Sequence, residues 1–248
     1  MNVPTARRPC RTNLKPYLAA ACAAVLVLAV LLSLYSGILR FNYPDRNEYP
    51  VRGLDVSHHQ KQIDWKTVSM QGFKFVYIKA TEGGDFKDPR FAVNWREARA
   101  QGLATGAYHF YTFCRPGRIQ AMNFIATVPY NTDSLPPAVD LEFGGNCSRR
   151  PDATALQTQL KIYLSMLRAH YKKTPVIYVT KEAYRKYVRG RYRSVPIWIR
   201  DIYFEPVLPD KRSWTFWQFA NRGRVAGIGT PVDLNVFRGN AAQLLKLR

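Results

Sequence analysis

Short apolar runs rich in β-branched and aromatic residues recur along most of the chain, and each predicts a strand. There are eight such runs, at residues 52–57, 73–81, 103–111, 137–143, 175–180, 195–200, 214–220 and 232–237. Polar and turn-forming residues separate them. The fold class therefore depends on whether the segments between the strands are helices or loops.

A helical period of apolar residues is clearest in residues 152–173, where Asp152 is placed to cap the start. One face of this predicted helix carries Leu156, Leu160, Tyr163, Leu164, Leu167 and Tyr171. Residues 88–102 predict a second helix, with Asp88 as its cap and Pro89 in its first turn. Two weaker helices are predicted at residues 118–128 and 181–190.

Strands that alternate with helices predict a parallel sheet with crossover connections. Eight strands in residues 52–248 favour a closed barrel over an open sheet. The last three predicted strands follow one another with too little chain between them for full helices. The sequence therefore predicts an α/β fold, a modified TIM-like (β/α)5(β)3 barrel at residues 52–248, without a second domain or an internal repeat.

The first forty residues have a different pattern. Residues 1–16 carry four basic residues and no acid, and residues 16–39 contain no charged side chain. Such a run can span a bilayer, which needs roughly 20 apolar residues as a helix. It is longer than the apolar part of a cleaved signal peptide, which is the alternative. We therefore predict a transmembrane anchor at residues 17–39 and a linker at residues 40–51.

The basic flank predicts that the N-terminus, residues 1–16, stays in the cytoplasm. The chain is then a single-pass protein of the inner, cytoplasmic membrane, and its barrel lies on the periplasmic or extracytoplasmic side. Only five of its 37 Lys and Arg residues precede residue 41, so the exported part keeps a net charge of +15 out of +20. This surface can attract anionic wall polymer or lipid headgroups, or it is only a solvated face. Nucleic acid is not predicted as a partner.

Two cysteines, Cys114 and Cys147, belong to the exported part, where disulfides persist. They lie 33 residues apart, each just past the end of a predicted strand. A disulfide between them and two unpaired thiols are both compatible with the sequence.

Acidic residues recur at the predicted strand ends. In a parallel α/β barrel, active-site residues lie at the C-terminal ends of the strands. A single acid there often caps the following helix, but several acids at the same rim predict a catalytic site. The acids placed in this way are Asp55, Glu82, Asp140, Glu142 and Asp233.

Asp140 and Glu142 are two residues apart, so their side chains share one face of the strand, with Cα atoms about 6.5–7 Å apart. Leu141 between them faces the helical layer. Two close acids in a site of low dielectric do not both ionise easily, so one pKa rises. Glycoside hydrolysis needs such a pair, one acid to protonate the leaving oxygen and one carboxylate to stabilise positive charge. The alternative is a structural pair satisfied by arginine or backbone groups.

Aromatic residues on or beside the strand ends favour a sugar substrate, because flat rings with a polar edge stack on pyranose rings. Some of them can equally be core residues. The residues concerned are Tyr77, Tyr108, Tyr111, Tyr178, Trp198 and Trp217.

Several motifs occur in an order that resembles the family 25 glycoside hydrolases, the Chalaropsis-type lysozymes, here as a membrane-anchored bacterial member. They are GLDVSHHQKQIDW, FVYIKATEGGDFKDPRF, GAYHFY, PPAVDLEF, VIYVTKEAY, PIWI and WQFANRGRVAGIGTPVDLNVF. The resemblance covers residues 53–237. It implies a (β/α)5(β)3 barrel and an N-acetylmuramidase that cleaves the β-1,4 bond between N-acetylmuramic acid and N-acetylglucosamine in peptidoglycan.

The resemblance also implies roles for residues. Glu142 matches the general acid, and Asp140 matches the acid of the same D-x-E motif, which orients the substrate's acetamido group. Asp55 and Asp233 match the other two catalytic acids. The positions that match groove-lining residues are Glu82, Tyr108, Tyr178, Trp198 and Gln218.

The resemblance implies neither a metal nor an organic cofactor. The adjacent His58 and His59 have no matching ligand cluster in the sequence, so they do not predict a metal site. Two other functions stay open, a glycosidase of the same architecture on another N-acetylated glycan and a glycan-binding scaffold without turnover. The presence of all four acids favours an enzyme.

Overall fold

The computed structural model describes residues 14–39, 42–148 and 150–248, and the chain forms two compact units, residues 1–40 and 41–248. In the first unit, helix α1 (Lys15–Tyr35) has 21 residues and a mean hydropathy of 2.6 over an 18-residue window. By length and composition it can cross a membrane, and it overlaps the predicted span at residues 17–39. The basic stretch of residues 1–13 lies outside the described residues.

The second unit contains nine strands and six helices in its described part. The strands are β1 (Arg52–Val56), β2 (Phe75–Glu82), β3 (Phe86–Lys87), β4 (Ala104–Phe110), β5 (Ala138–Leu141), β6 (Val176–Thr180), β7 (Ile197–Arg200), β8 (Phe216–Gly223) and β9 (Val232–Phe237). The helices are α2 (Trp65–Ser69), α3 (Phe91–Ala100), α4 (Gly117–Thr127), α5 (Ala153–Tyr171), α6 (Lys181–Ala183), which continues as a π-helical turn (Tyr184–Val188), and α7 (Ala241–Leu245).

Eight strands close into a barrel in the order β1-β9-β8-β7-β6-β5-β4-β2, and the pairing of β1 with β2 completes the circle. The ninth, β3, is a two-residue strand paired with the end of β2. Helices α2 to α6 follow β1, β2, β4, β5 and β6, whereas β7, β8 and β9 follow one another without a helix. This arrangement confirms the predicted (β/α)5(β)3 barrel.

The direction of strand β9 differs from the predicted parallel sheet. It runs antiparallel to both of its neighbours, β8 and β1. The connection from Gly223 to Val232 is too short for a parallel crossover, which needs a dozen residues or more. Because β9 is reversed, its N-terminal end lies at the rim where the other strands end. Asp233 is thereby placed directly opposite Asp55.

The helical layer packs on the outside of the barrel through a large apolar core. All six residues of the predicted apolar face of α5 are buried in it, and the Asp152 carboxylate accepts a hydrogen bond from the Ala155 backbone nitrogen at 2.9 Å. The predicted cap of α3 is wrong. That helix begins at Phe91, and Asp88 is instead turned toward His58 and the Arg90 backbone nitrogen.

A second core fills the inside of the barrel with large rings. Tyr77, Trp198 and Phe216 are buried there and contact one another. Gly106 makes room for Tyr77, because a Cβ at that position would lie 2.3 Å from a carbon of the tyrosine ring. The rings occupy the barrel interior and leave open space only at the C-terminal end of the strands.

The predicted linker is partly packed against the barrel. Asn42 donates hydrogen bonds from Nδ2 to the carbonyl oxygens of Ile202 and Phe219, at 2.6 and 2.8 Å. Tyr49 is buried and its ring contacts Trp214 and Trp217. The described residues 42–51 therefore belong to the barrel unit.

Candidate active site

A cavity of about 300 Å³ lies at the C-terminal rim of the barrel. It brings together all four acids predicted to be catalytic, and four of the predicted groove residues, Tyr108, Tyr178, Trp198 and Gln218. Its full lining is Asp55, Val56, Ser57, His59, Gln60, Lys79, Tyr108, Phe110, Asp140, Glu142, Tyr178, Trp198, Arg200, Gln218, Asn221 and Asp233.

Three predicted groove residues lie elsewhere. Tyr77 is buried in the inner core below the cavity and donates a hydrogen bond from its hydroxyl to the Pro136 carbonyl oxygen at 3.2 Å. Trp217 faces the outer core, because side chains alternate along a strand and its neighbour Gln218 faces inward. Glu82 does not line the cavity and instead forms an ion pair with Lys79, at 2.7 Å. Tyr77 and Trp217 are therefore core residues, which corrects the expectation from sequence.

Asp55 is held at the centre of a hydrogen-bond network. Its Oδ2 accepts from Gln218 Nε2 at 2.9 Å and from Asn235 Nδ2 at 2.7 Å. The amide oxygens of these two residues accept from Tyr178 OH at 3.0 Å and from Trp198 Nε1 at 2.8 Å. An indole N–H can only donate, so the Asn235 amide must turn its NH2 group toward Asp55. The aromatic residues thus orient the donors that hold this carboxylate.

Asp233 forms a buried pair with Asp55. The two residues are cross-strand partners, and their side chains are hydrogen-bonded to each other. Burial, followed by the charge of Asp55, raises the pKa of Asp233 well above its usual value. Burial also raises the pKa of Asp55, but hydrogen bonds from Asn235, Gln218 and Asp233 oppose this. Burial and the neighbouring charge therefore favour the neutral form more strongly for Asp233 than for Asp55.

Asp140 and Glu142 form the second acidic pair. Burial, then the charges of Glu142 and Asp55, raise the pKa of Asp140 well above its usual value. Burial also raises the pKa of Glu142, opposed by Arg200, whose Nη1 lies 3.9 Å from Glu142 Oε2. Asp140 Oδ1 is buried and has no hydrogen-bond partner in the described part of the chain. The pair therefore holds a proton more readily than ordinary carboxyl groups do, and one of its oxygens is available to a hydrogen-bond donor.

Glu142 lies one residue past strand β5, and Asn146 ties down the backbone there. Asn146 Nδ2 donates to the carbonyl oxygens of Tyr111 and Glu142 at 2.8 and 3.1 Å, and its Oδ1 accepts from the Phe113 nitrogen at 3.0 Å. The next residue, Cys147, is bonded to Cys114 in a disulfide with Cα atoms 6.3 Å apart. The loops after β4 and β5 are thereby fixed to each other beside the acid.

Sequence reasoning missed Asn235, Arg200, Lys79 and Asn146. Asn235 had a usable signal, because it is two residues from Asp233 and therefore shares its face of the strand. Arg200 and Lys79 are charged residues at strand positions, but sequence does not tell which acid they approach. Asn146 lies in a loop, where no periodicity marks it.

The histidine pair is held by contacts within the chain. The rings of His58 and His59 contact each other at a tilt of 38°, with centroids 4.1 Å apart, and His58 Nδ1 lies 2.8 Å from Asp88 Oδ2. Within the described ranges, no group of three or more His, Cys, Asp or Glu residues is arranged to hold a metal ion.

Comparison with known proteins agrees with this barrel. The family model of the glycosyl hydrolases family 25 matches residues 54–228. Lysozyme M1 of Streptomyces globisporus is 36% identical over 213 residues, which cover 79% of this chain and 71% of that protein. YegX of Escherichia coli K12, described as uncharacterized, is 35% identical over 201 residues, which cover 79% and 72% of the two chains.

A solved structure extends the agreement to the fold. A family 25 glycosyl hydrolase from Bacillus anthracis superposes with a TM-score of 0.80 at 39% identity, covering 84% of this chain and 97% of that one. Fold and site together define a glycoside hydrolase with a (β/α)5(β)3 barrel. The chain belongs to the glycosyl hydrolases family 25.

Proposed function

We propose that the chain is a muramidase that hydrolyses the β-1,4 bond between N-acetylmuramic acid and N-acetylglucosamine in peptidoglycan. The convergence of four carboxyl groups, Asp55, Asp140, Glu142 and Asp233, on one cavity of a family 25 barrel carries the proposal. Relatives named as a lysozyme and as an N,O-diacetylmuramidase support the choice of substrate. The cavity also offers aromatic side chains for contact with sugar rings.

Glu142 is the proposed proton donor. Its side chain is 21% exposed, so it can reach a glycosidic oxygen in the cavity, and burial raises its pKa. A protonated Glu142 transfers its proton to the leaving oxygen as the bond to the anomeric carbon breaks. The ionised residue can afterwards take a proton from the water molecule that completes hydrolysis.

Asp140 is the proposed partner of the substrate's acetamido group. Its free buried oxygen can accept the acetamido N–H, which aims the acetamido oxygen at the anomeric carbon. That oxygen forms the new bond while the glycosidic bond breaks, and water later opens the resulting ring. A hydrogen bond from the substrate favours the ionised form of Asp140, so the proton held by the acidic pair passes to Glu142.

Asp55 is the proposed electrostatic stabiliser. Its carboxylate is fixed by two amide donors and by Asp233, so it need not reorganise as positive charge develops near the anomeric carbon. Asp233 stays neutral, which keeps a second negative charge out of the site. The cavity thus combines one proton donor, one orienting carboxylate and one fixed anion.

Digestion of purified peptidoglycan by residues 41–248 tests the proposal. Mass spectrometry should find new N-acetylmuramic acid at reducing ends, and Glu142→Gln should abolish them because the amide cannot donate a proton in this way. Glu182→Gln, which removes an exposed carboxylate from a neighbouring helix, serves as the matched control and should retain activity. New reducing ends of N-acetylglucosamine would contradict the bond choice, and binding without any cleavage would favour a scaffold.

We further propose that α1 is a retained anchor, with the N-terminus in the cytoplasm and the barrel outside. The helix has 21 apolar-rich residues, and the four basic residues up to Lys15 precede its apolar run. Anchoring would restrict cleavage to wall close to the membrane, which suits remodelling of the wall.

A further inference from the structure

A strongly basic stretch, residues 181–193, follows strand β6 and is called here the basic segment. It contains six Lys and Arg residues and a single acid, Glu182. All six cations are exposed, whereas Tyr184, Tyr187 and Val188 on the other side are buried against the barrel. The segment is therefore a fixed part of the fold that presents its charges to the outside.

Most of these charges are not neutralised by the protein. Among the residues that the structure describes, five of the six cations have no Asp or Glu oxygen within 4.0 Å, and only Lys181 has an acidic partner, Asp201. The other five are Arg185, Lys186, Arg189, Arg191 and Arg193. Ion pairs with acids are few across the described barrel, and the basic segment is distinguished by its density of charge, with six cations in 13 residues. The basic segment thus carries free positive charge that suits an anionic partner.

An exposed apolar loop lies beside the basic segment. In residues 202–208, called here the apolar loop, Tyr203, Phe204 and Val207 are 60%, 68% and 85% exposed. Val207 and Arg185 line the same small cavity, and Tyr203 and Lys181 line another, so loop and segment form one surface. Phe204 and Val207 have no polar edge, so they suit an apolar environment better than a sugar ring.

The loop is held rigidly in this exposed position. Trp214 Nε1 donates to the Pro206 carbonyl oxygen at 3.0 Å, and Tyr49 OH donates to Glu205. On the basic side, Tyr184 OH donates to Asp210 Oδ1 at 2.6 Å. Exposure of the apolar side chains is therefore a property of the folded loop.

The chain enters the barrel unit at the same place. Asn42 is bound to the carbonyl oxygen of Ile202, the first residue of the apolar loop. The N-terminal end of the barrel unit is therefore fixed beside the apolar loop.

We infer that the basic segment and the apolar loop form a membrane-contact surface that binds anionic phospholipid headgroups. Lys and Arg side chains are attracted to an anionic leaflet, and exposed aromatic and aliphatic side chains enter the interface beside them. Tyr203 and Glu142 line a common recess at the edge of the catalytic cavity. Binding at this surface places the active site next to the bilayer, where the wall glycan nearest the membrane is accessible.

Vesicle sedimentation of residues 41–248 tests the inference without the anchor, since the barrel is a compact unit of its own and covers 97% of a solved relative. Binding is expected to vesicles of phosphatidylcholine with a third of phosphatidylglycerol, and to fall at high salt and without phosphatidylglycerol. Arg185→Gln combined with Arg189→Gln should weaken it about tenfold or more. Phe204→Ser combined with Val207→Ser should weaken it several-fold.

Lys66→Gln combined with Lys74→Gln is the matched control, because both cations are exposed, neither has an acidic partner in the described part of the chain, and they lie in α2 and just before β2, away from this surface. Equal loss in the control, or binding that ignores lipid charge, would overturn the inference. So would variants that lose binding to purified peptidoglycan but keep binding to vesicles, since the surface would then serve the glycan. Digestion of soluble glycan fragments by the same variants keeps this test separate from muramidase activity, which all of them should retain.

Discussion

Asp140 is a residue of the candidate site that lowers the stability of the folded protein. Burial is the largest cause of its raised pKa, and the charges of Glu142 and Asp55 add to it. A carboxyl group whose pKa is higher in the folded chain contributes stability that is fully present below its unfolded pKa, about 4. That stability is lost as the pH rises through the folded pKa. At neutral pH, the buried acid therefore lowers the free energy of unfolding.

We expect Asp140→Asn to abolish cleavage and to raise the thermal stability of residues 41–248. The Tm should rise by about 2–6 °C at neutral pH, and the gain should disappear below about pH 4, where the wild-type acid is protonated in both states. Thermal melts followed by tryptophan fluorescence across this pH range measure both effects. Asp64→Asn is the control variant. A hydrogen bond from Thr67 lowers the pKa of Asp64, so removal of its charge should not stabilise the protein. A Tm gain for Asp140→Asn that is independent of pH would contradict the explanation.

At the residue scale, the sequence predicted which acidic residues line the cavity. Their positions at strand ends and the D-x-E spacing of Asp140 and Glu142 were the signals. It misplaced Tyr77 and Trp217, since an aromatic residue near a strand end has the same sequence signature whether it faces the cavity, the inner core or the outer core. Only the register of the barrel distinguishes these positions. The Asp55–Asp233 hydrogen bond and the Arg200–Glu142 contact depend on pairing between distant strands and could not be derived from sequence.

At the element scale, the loops after strands β4 and β5 carry a covalent and a hydrogen-bonded tie. The disulfide joins Cys114 to Cys147, and Asn146 links the backbone of both loops next to Glu142. These ties compensate for the short strand β5, which has only four residues. The position of Glu142 therefore depends on these two loops, which the disulfide and the Asn146 hydrogen bonds hold together.

Loss of the disulfide should destabilise the barrel substantially. The chain-entropy account gives about 3–4 kcal/mol for a separation of 33 residues. We expect Cys114→Ser combined with Cys147→Ser to lower the free energy of unfolding by this amount in urea titration. A reductant should lower the stability of the wild type to the same level and leave the double variant unchanged. A wild-type protein insensitive to reductant would show that the two thiols are not bonded.

The sequence predicted an element well where an apolar repeat continued over many residues, as in α5. It predicted an element poorly where contacts with distant parts of the chain determine the structure. Strand β9 is reversed because its connection to β8 is short. The length of this connection could be read from the sequence, but it was not used to predict the strand direction. The predicted cap of α3 was wrong because the Asp88 carboxylate accepts a hydrogen bond from the backbone nitrogen of His58, which is distant in sequence. A weak helix was predicted at residues 181–190, and the structure has a short α-helix there that continues as a π-helical turn.

At the scale of the whole molecule, the apolar helix and the barrel are separate compact units. Every buried residue in the described chain with an apolar side chain belongs to the barrel unit, and α1 contributes none. Stability and catalysis should therefore reside in residues 41–248, and integral anchoring in the residues before them. The sequence placed the start of the barrel at residue 52, whereas the compact unit begins at residue 41, because residues 42–51 pack against the barrel.

Deletion of residues 1–40 should separate these two properties. The full chain should remain with membranes after carbonate extraction, and the truncated chain should be released. The free energy of unfolding of the barrel should change by no more than about 0.5 kcal/mol, since no core residue is removed. Cleavage of soluble glycan fragments should be equal for both proteins within about twofold. Release of the full chain by carbonate would refute the retained anchor, and a clear loss of barrel stability on truncation would refute the independence of the units.

The position of strand β9 in the chain has a consequence for biosynthesis. This strand is the last of the barrel to be translated, and it supplies both Asp233 and Asn235 while pairing with β1 and β8. Until it emerges, β1 and β8 each have an open edge, and Asp55 lacks two of its hydrogen-bond partners. If the proposed mechanism is right, the chain is inactive while it is being made, because its acidic site is complete only after the last strand of the barrel has paired with β1 and β8.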